Sequence, residues 1–201
     1  FDHIIPVCWE YDYGMKKAGF NTKPIIPFPI DLKQFKPKSR ISKGKIIFFH
    51  PLNRTNLKYD FKGTLLIQEA FKTLSEKYSD VADFICKGNM THKEYDTFTD
   101  DVDVIVDQLY SYTYGMSAAL GLAKGKVVIS GLEPKANIAH FKECPIINVK
   151  PSVVDLISKI EMLILGELSI NQIQFQSRFF AEKYHCSQKV SYQFAKIYTG
   201  S

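Results

Sequence analysis

Six short runs, each apolar on both faces, constrain this chain more than any other feature: HIIPVC (His3–Cys8), KIIFFH (Lys45–His50), ADFIC (Ala82–Cys86), VDVIV (Val102–Val106), KVVIS (Lys126–Ser130) and PIINV (Pro145–Val149). Strands of an exposed antiparallel sheet alternate apolar with polar, whereas strands covered on both sides read as continuous Val, Ile and Phe. Helix patterns lie between the runs. Thr64–Lys77 puts Leu66, Ile67, Ala70, Phe71 and Leu74 on one stripe. Tyr114–Lys124 is small and apolar nearly all round, with Gly125 placed just beyond its end. Strand and helix in alternation predict an α/β fold: a Rossmann-like, doubly wound parallel sheet with right-handed crossovers. At least four of the six runs should share one sheet.

The pattern changes after Pro151. Ser152 is a plausible N-cap for a helix over Val153–Leu165, and helical stretches over Ser169–Tyr184 and Ser187–Tyr198 complete a C-terminal tail without strands. Upstream, Pro24, Pro27, Pro29 and Pro37 force extended backbone and mark a linker. The reading is therefore residues 1–38 as a segment and linker, and residues 39–201 as the main domain. The chain opens on Phe1 and runs at once into a strand-like segment, so it reads as a fragment.

Composition narrows the function classes. The 201 residues are 45% hydrophobic and 23% charged, enough apolar material for a core without metals or cross-links. No run approaches the roughly 18 apolar residues of a membrane span, and no signal peptide is visible. The four cysteines, Cys8, Cys86, Cys144 and Cys186, form no CxxC pair, and no histidines stand at zinc-ligand spacing, so no metal is expected. That usage points to the cytosol, where the sequons at Asn53 and Asn89 are chance matches. The net charge of +5 is spread along the chain. It suits an anionic small ligand or the face of an anionic membrane better than nucleic acid, which calls for a basic stripe.

In a parallel sheet, ligands bind beyond the carboxyl ends of the strands, where loops enter helix N-termini. Three loops there carry suggestive residues. After KIIFFH come His50, Pro51 and Arg54, then Lys62-Gly63-Thr64 opening a helix. Lysine, arginine and exposed amides there could hold phosphate. The plainer reading is a solvated Lys62, whose removal should leave folding nearly unchanged. After ADFIC, Gly88 either lets the backbone approach a planar base or makes an ordinary turn. The third loop, after VDVIV, places Ser111, Tyr112, Thr113 and Tyr114 before Gly115, Met116 and Ser117. Its hydroxyls and the helix start could receive an anion, or the tyrosines could simply pack. No Walker A loop, dinucleotide glycine fingerprint, HExxH or GxSxG is present.

Taken in order, four segments resemble the C-terminal domain of retaining GT-B glycosyltransferases of the large group 1 family, which includes many bacterial surface-polysaccharide enzymes. IIPFPIDLKQFKP (Ile25–Pro37) is similar to the interdomain stretch. FKGTLLIQEAFKTLSEKY (Phe61–Tyr78) is similar to the Lys-Gly helix opening. DVDVIVDQLYSYTYGMSAALGLAKGKVVISG (Asp101–Gly131) is similar to the donor strand, helix and turn. EPKANIAHFKECPIINVKPS (Glu133–Ser152) adds the short strand and proline before the tail.

The resemblance implies one half of a GT-B fold, with an N-terminal acceptor domain absent. It implies a nucleotide-sugar as substrate, with no cofactor, and transfer of the sugar to a glycan or lipid-linked acceptor. The whole enzyme would be cytoplasmic, peripheral at the inner face of the membrane, and the fragment alone inactive. Lys62 and Arg54 would hold the diphosphate and stabilise the leaving group. Gly63, Gly88, Ser111, Tyr112, Tyr114, Gly115, Met116 and Ser117 would line the donor site.

Two departures stand out. The family usually carries two glutamates with seven residues between them, and here those positions are Tyr112 and Leu120. The Arg54–Lys62 segment also looks longer than the family norm. Two readings follow: an enzyme that holds its donor differently, or a non-catalytic nucleotide-sugar-binding or scaffolding homologue. A flavodoxin-like regulatory domain fits less well, because His50 and Pro51, not an acidic cluster, end KIIFFH.

Overall fold

The computed structural model describes residues 3–37, 44–52, 60–136 and 141–200. Five strands form one wholly parallel sheet: β1 (Ile46–Pro51), β2 (Ala82–Lys87), β3 (Val104–Val106), β4 (Val127–Ser130) and β5 (Ile147–Asn148), in the order β2-β1-β3-β4-β5. Among the described residues seven α-helices accompany it: α1 (Trp9–Lys17), α2 (Thr64–Tyr78), α3 (His92–Asp100), α4 (Met116–Ala123), α5 (Val153–Ile164), α6 (Ile170–Tyr184) and α7 (Ser187–Thr199). No helix among the described residues is long and apolar enough to cross a membrane.

Residues of the central strands alternate between two cores, which is why their runs are apolar on both faces. Phe48, Val104, Val106, Val127 and Ile129 pack beneath α2 and α5, on Ile67, Phe71, Leu74, Leu156 and Ile160. On the opposite face Phe49 and Ile105 meet Tyr95 and Phe98 of α3. There too Val128 meets Ala119 and Leu122 of α4 and Phe180 of α6. Helices on both faces make the sheet doubly wound. α4 must be small-residue because it lies so close: a Cβ on Gly121 would stand 2.9 Å from Ile105 Cδ1.

The first apolar run is not a strand. His3–Cys8 is irregular and leads into α1. Its carbonyls at Ile4 and Pro6 accept from Lys23 and Ile26 at 2.8 and 3.0 Å. Pro6 has no amide to donate, so a regular ladder cannot continue through it. The proline-rich segment is extended, as its prolines require, and it packs against the tail. Ile30 is buried and exchanges backbone hydrogen bonds with His185 and Ser187. Arg178 of α6 donates to the carbonyls of Phe35 and Ala123 at 2.7 and 2.6 Å, joining linker, α6 and the end of α4.

The chain winds from β1 outward to β2, then returns past β1 to β3 and continues to β4. The switch point therefore lies between β1 and β3, where the following loops separate and leave a crevice.

Candidate functional site

The crevice is built around Lys62. Its ammonium lies 2.6 Å from Asp107 Oδ1, 3.3 Å from the carbonyl of Pro51 and 3.5 Å from Ser117 Oγ. One side chain thus joins the loops after β1 and β3 to the first turn of α4. The side chains of Lys62 and Asp107 are only 7% and 1% exposed. The expectation of a solvated lysine is corrected: a buried carboxylate 45 residues downstream draws it in.

Gly63 has a local reason. It sits at φ +74°, a left-handed conformation that suits glycine, and a Cβ there would stand 3.1 Å from Leu109 Cβ. The neighbouring amide of Leu109 donates to the carbonyl of Lys62 at 2.8 Å. The two loops are therefore locked together.

The start of α2 is not an open anion site. Asp60 accepts from the amides of Thr64 and Leu65 at 2.6 and 3.0 Å. Burial works to raise the Asp60 pKa, but these amide bonds outweigh it and hold the carboxylate ionised below its ordinary range. The amides expected to receive phosphate there are already taken. Arg54 lies outside the described residues.

α4 offers what α2 does not. Gly115 is its N-cap, no side chain caps it, and no acidic residue occupies its first turn. The positive end of the helix and its first amides face the crevice. A cleft of about 330 Å³ opens there, lined among others by Gly88, Tyr95, Met116, Ser117 and Leu120. Gly88, Met116 and Ser117 are thus brought together, with Gly115 and Lys62 beside them. Gly88 also has a packing reason: a Cβ would stand 2.8 Å from Leu52 Cβ, where the ends of β1 and β2 converge. Leu120 lines the same cleft and presents no polar group to it.

Ser111 and Tyr112 line a second cleft of about 390 Å³, with Tyr110 and Glu133. The hydroxyls of the third loop are largely spent inside the protein, and that expectation is corrected. Ser111 Oγ donates to Glu10 Oε1 at 2.8 Å, as does the amide of Thr113 at 2.7 Å, and Thr113 Oγ1 donates to Glu10 Oε2. Burial acts to raise the Glu10 pKa, yet the bonds from Thr113 and Ser111 win and keep it low. The Tyr112 ring rests on Trp9, with centroids 5.1 Å apart.

Tyr114 turns away from the cleft. Its hydroxyl lies 2.9 Å from His185 Nε2, and its ring packs on Phe180. His185 Nδ1 faces the carbonyl of Phe28 at 2.9 Å, so Nδ1 carries the proton and Nε2 accepts from Tyr114. Tyr114 is thereby removed from the donor-site set.

His50, directly after the core of β1, is fully buried. Nδ1 lies 2.7 Å from the Val106 carbonyl and Nε2 3.0 Å from Thr64 Oγ1, linking β1, β3 and α2. Burial chiefly, aided by the Lys62 charge and opposed by the Val106 bond, lowers its pKa to about 4. It is neutral near pH 7 and supports the crevice from below.

Asp107, Glu10 and Tyr95 were not identified from the sequence. Asp107 was legible as the residue ending β3 at the switch point. Glu10 carried no signal, because its partners lie about a hundred residues away.

The sheet order and the crevice at its switch point are those of a doubly wound nucleotide-binding fold, and the chain's likeness to solved structures shows the fold of the C-terminal half of GT-B glycosyltransferases. Among solved structures it is similar to sucrose-phosphate synthase from Thermosynechococcus elongatus, with TM-score 0.72 and 15% identity over 99% of this chain and 58% of that one. It is similar to HepE from Anabaena in complex with UDP-glucose, with TM-score 0.74 and 14% identity over 100% of this chain and 64% of that one. The C-terminal domain of a group 1 family glycosyl transferase from Francisella tularensis matches 78% of this chain and 98% of its own length, with TM-score 0.58 and 18% identity. The chain therefore spans less than two thirds of the first and second of these proteins. No protein-family model and no curated protein matches it in sequence.

Proposed function

We propose that this chain is the donor-binding half of a glycosyltransferase, holding a nucleotide-sugar in the cleft between β1 and β3. One observation carries the reading: the open N-terminus of α4 lines this cleft through Met116 and Ser117, and the Lys62 ammonium stands 3.5 Å from Ser117 Oγ. The diphosphate would accept from the amides of Met116 and Ser117 and from Lys62. Because Asp107 already pairs with Lys62, the phosphate shares that cation, and affinity is moderate.

The base would lie toward Gly88 and the sugar toward Tyr112. Arg54, eight residues before Lys62 in the sequence, would be a second cation for the diphosphate. Negative charge developing on the departing nucleotide would be stabilised by groups already in place. On this reading residues 1–38 are the interdomain segment, and an N-terminal domain supplies the acceptor site. The reaction retains anomeric configuration and serves surface-polysaccharide assembly at the cytoplasmic face of a membrane. Support comes from the four ordered segments and from the UDP-glucose complex of HepE, a protein of the same fold.

Calorimetry with uridine, guanosine and adenosine diphosphates tests the reading. Heat with at least one, weakened by salt, is the expected result. Silence from all three at millimolar concentration would leave the non-catalytic homologue, which the apolar Leu120 in the cleft also suits.

A further inference from the structure

Two polar atoms beside the cleft lack a hydrogen-bond partner among the described residues: the hydroxyl of Tyr95 and Oδ2 of Asp107. Both are closed to solvent in the protein. Unpaired buried polar atoms are rare, and each calls for an explanation.

Tyr95 is held by its surroundings rather than by its hydroxyl. It lies in the first turn of α3, whose start is fixed by a reciprocal cap: the amide of Glu94 donates to Thr91 Oγ1, and the Thr91 amide donates to Glu94 Oε2. Its ring packs on Phe49 of β1, with centroids 6.1 Å apart. So held, Tyr95 lines the cleft together with Ser117 and Leu120. Ser117 stands beside it without meeting hydrogen-bond geometry. Burial foremost, and then the Asp107 charge, hold the phenol well above its ordinary pKa, so it is a donor at neutral pH.

We propose that Tyr95 is a specificity-determining residue of this cleft, donating its hydroxyl hydrogen bond to an oxygen of the bound nucleoside on the wall where Leu120 offers none. The proposal rests on the donor-binding reading above. It assigns nucleoside recognition to α3 and phosphate recognition to α4 and Lys62. Asp107 Oδ2, 3.6 Å from where a Cβ on Gly115 would lie, is a neighbouring acceptor. It cannot be tested cleanly, because Asp107 also holds Lys62.

Tyr95→Phe keeps the ring and removes only the donor. Affinities of the wild-type chain and the variant are measured by calorimetry for inorganic pyrophosphate and for whichever of uridine, guanosine or adenosine diphosphate binds. Melting temperatures are recorded alongside. The expected result is about five- to tenfold weaker nucleoside diphosphate binding, pyrophosphate within twofold, and melting unchanged or raised. Equal nucleoside diphosphate affinity in the two proteins overturns the proposal. So does an equal loss for both ligands, or a lowered melting temperature, either of which makes Tyr95 a structural residue. If the wild type binds pyrophosphate but none of the nucleotides, or nothing at all, the donor-binding reading itself fails and the proposal falls with it.

Discussion

Lys62 and Asp107 meet at 2.6 Å beneath the switch point, one from the loop after β1 and the other from the end of β3. Neither is exposed enough for water to take over the role of its partner. The pair fixes how far the two loops separate, and therefore the shape of the cleft above. Its burial has consequences for stability that the sequence pattern does not convey.

Lys62→Ala should unfold more easily than wild type by about 3–5 kcal/mol, because it strands Asp107 as a buried unpaired charge. Replacing both partners, as Lys62→Met with Asp107→Leu, should recover a large part of that loss. Urea denaturation of the wild type and both variants checks this. If Lys62→Ala melts like wild type, the buried ion pair is wrong. Where Lys62→Ala remains folded, diphosphate affinity should fall by about 1.5–3 kcal/mol, the worth of a hydrogen bond to a charged group.

The buried imidazole of His50 makes stability depend on pH. Its folded pKa is depressed to about 4, whereas an unfolded histidine titrates near 6.5. Between these values the unfolded chain binds the extra proton, so stability is full above about pH 6.5 and is lost as pH falls toward 4. The loss across this window is about 3 kcal/mol. His50→Gln, which can still donate and accept, should flatten the profile in that window. An unchanged slope in the variant would assign the acid sensitivity elsewhere.

Glu10 fastens α1 to the loop that joins the two clefts, through Ser111 and Thr113. Glu10→Ala should cost about 2 kcal/mol from the lost charge-assisted bonds and free the Ser111–Thr113 loop. The chain's single tryptophan is Trp9, stacked on Tyr13 and resting on Tyr112, so its fluorescence reports the change. Wild-type emission and stability in Glu10→Ala would show that the latch does nothing.

Gly131 lets two loops touch. A Cβ there would stand 2.2 Å from the carbonyl oxygen of Ser111, a contact neither backbone can accept. Gly131→Ala should lower stability by about 3 kcal/mol through overpacking, measured by urea denaturation. A neutral substitution would mean the loops do not approach as described.

The strands were legible because the central ones, β3 and β4, are buried at every position, and β1 and β2 keep the same Ile- and Phe-rich runs although Asp83 of β2 faces solvent. His3–Cys8 carries the same signal yet forms no strand, since Pro6 spoils the ladder and the chain turns at once into α1. The first tail helix was legible from Ser152, whose hydroxyl caps α5 by accepting from the Asp155 amide, and Ser169 caps α6 in the same way through the Gln172 amide. α3 was overlooked although Thr91 and Glu94 have capping-box spacing, because its residues His92–Asp100 are largely polar. Gly88, Gly115, Met116 and Ser117 could be placed at one end of the sheet because their loops follow predicted strands. Partners could not. Lys62 was expected in solvent and Tyr114 in the cleft, because Asp107 and His185 are joined to them only by the fold.

On the proposed function, a diphosphate seats on the N-terminus of α4 beside Lys62. A crystal structure of the chain grown with the nucleoside diphosphate that binds in calorimetry tests it most directly. Phosphate oxygens are expected within hydrogen-bond distance of the Met116 and Ser117 amides and the Lys62 ammonium, with the nucleoside against Gly88 and Tyr95. A diphosphate seated in the cleft of Tyr110 and Glu133, or anywhere away from α4, would contradict it.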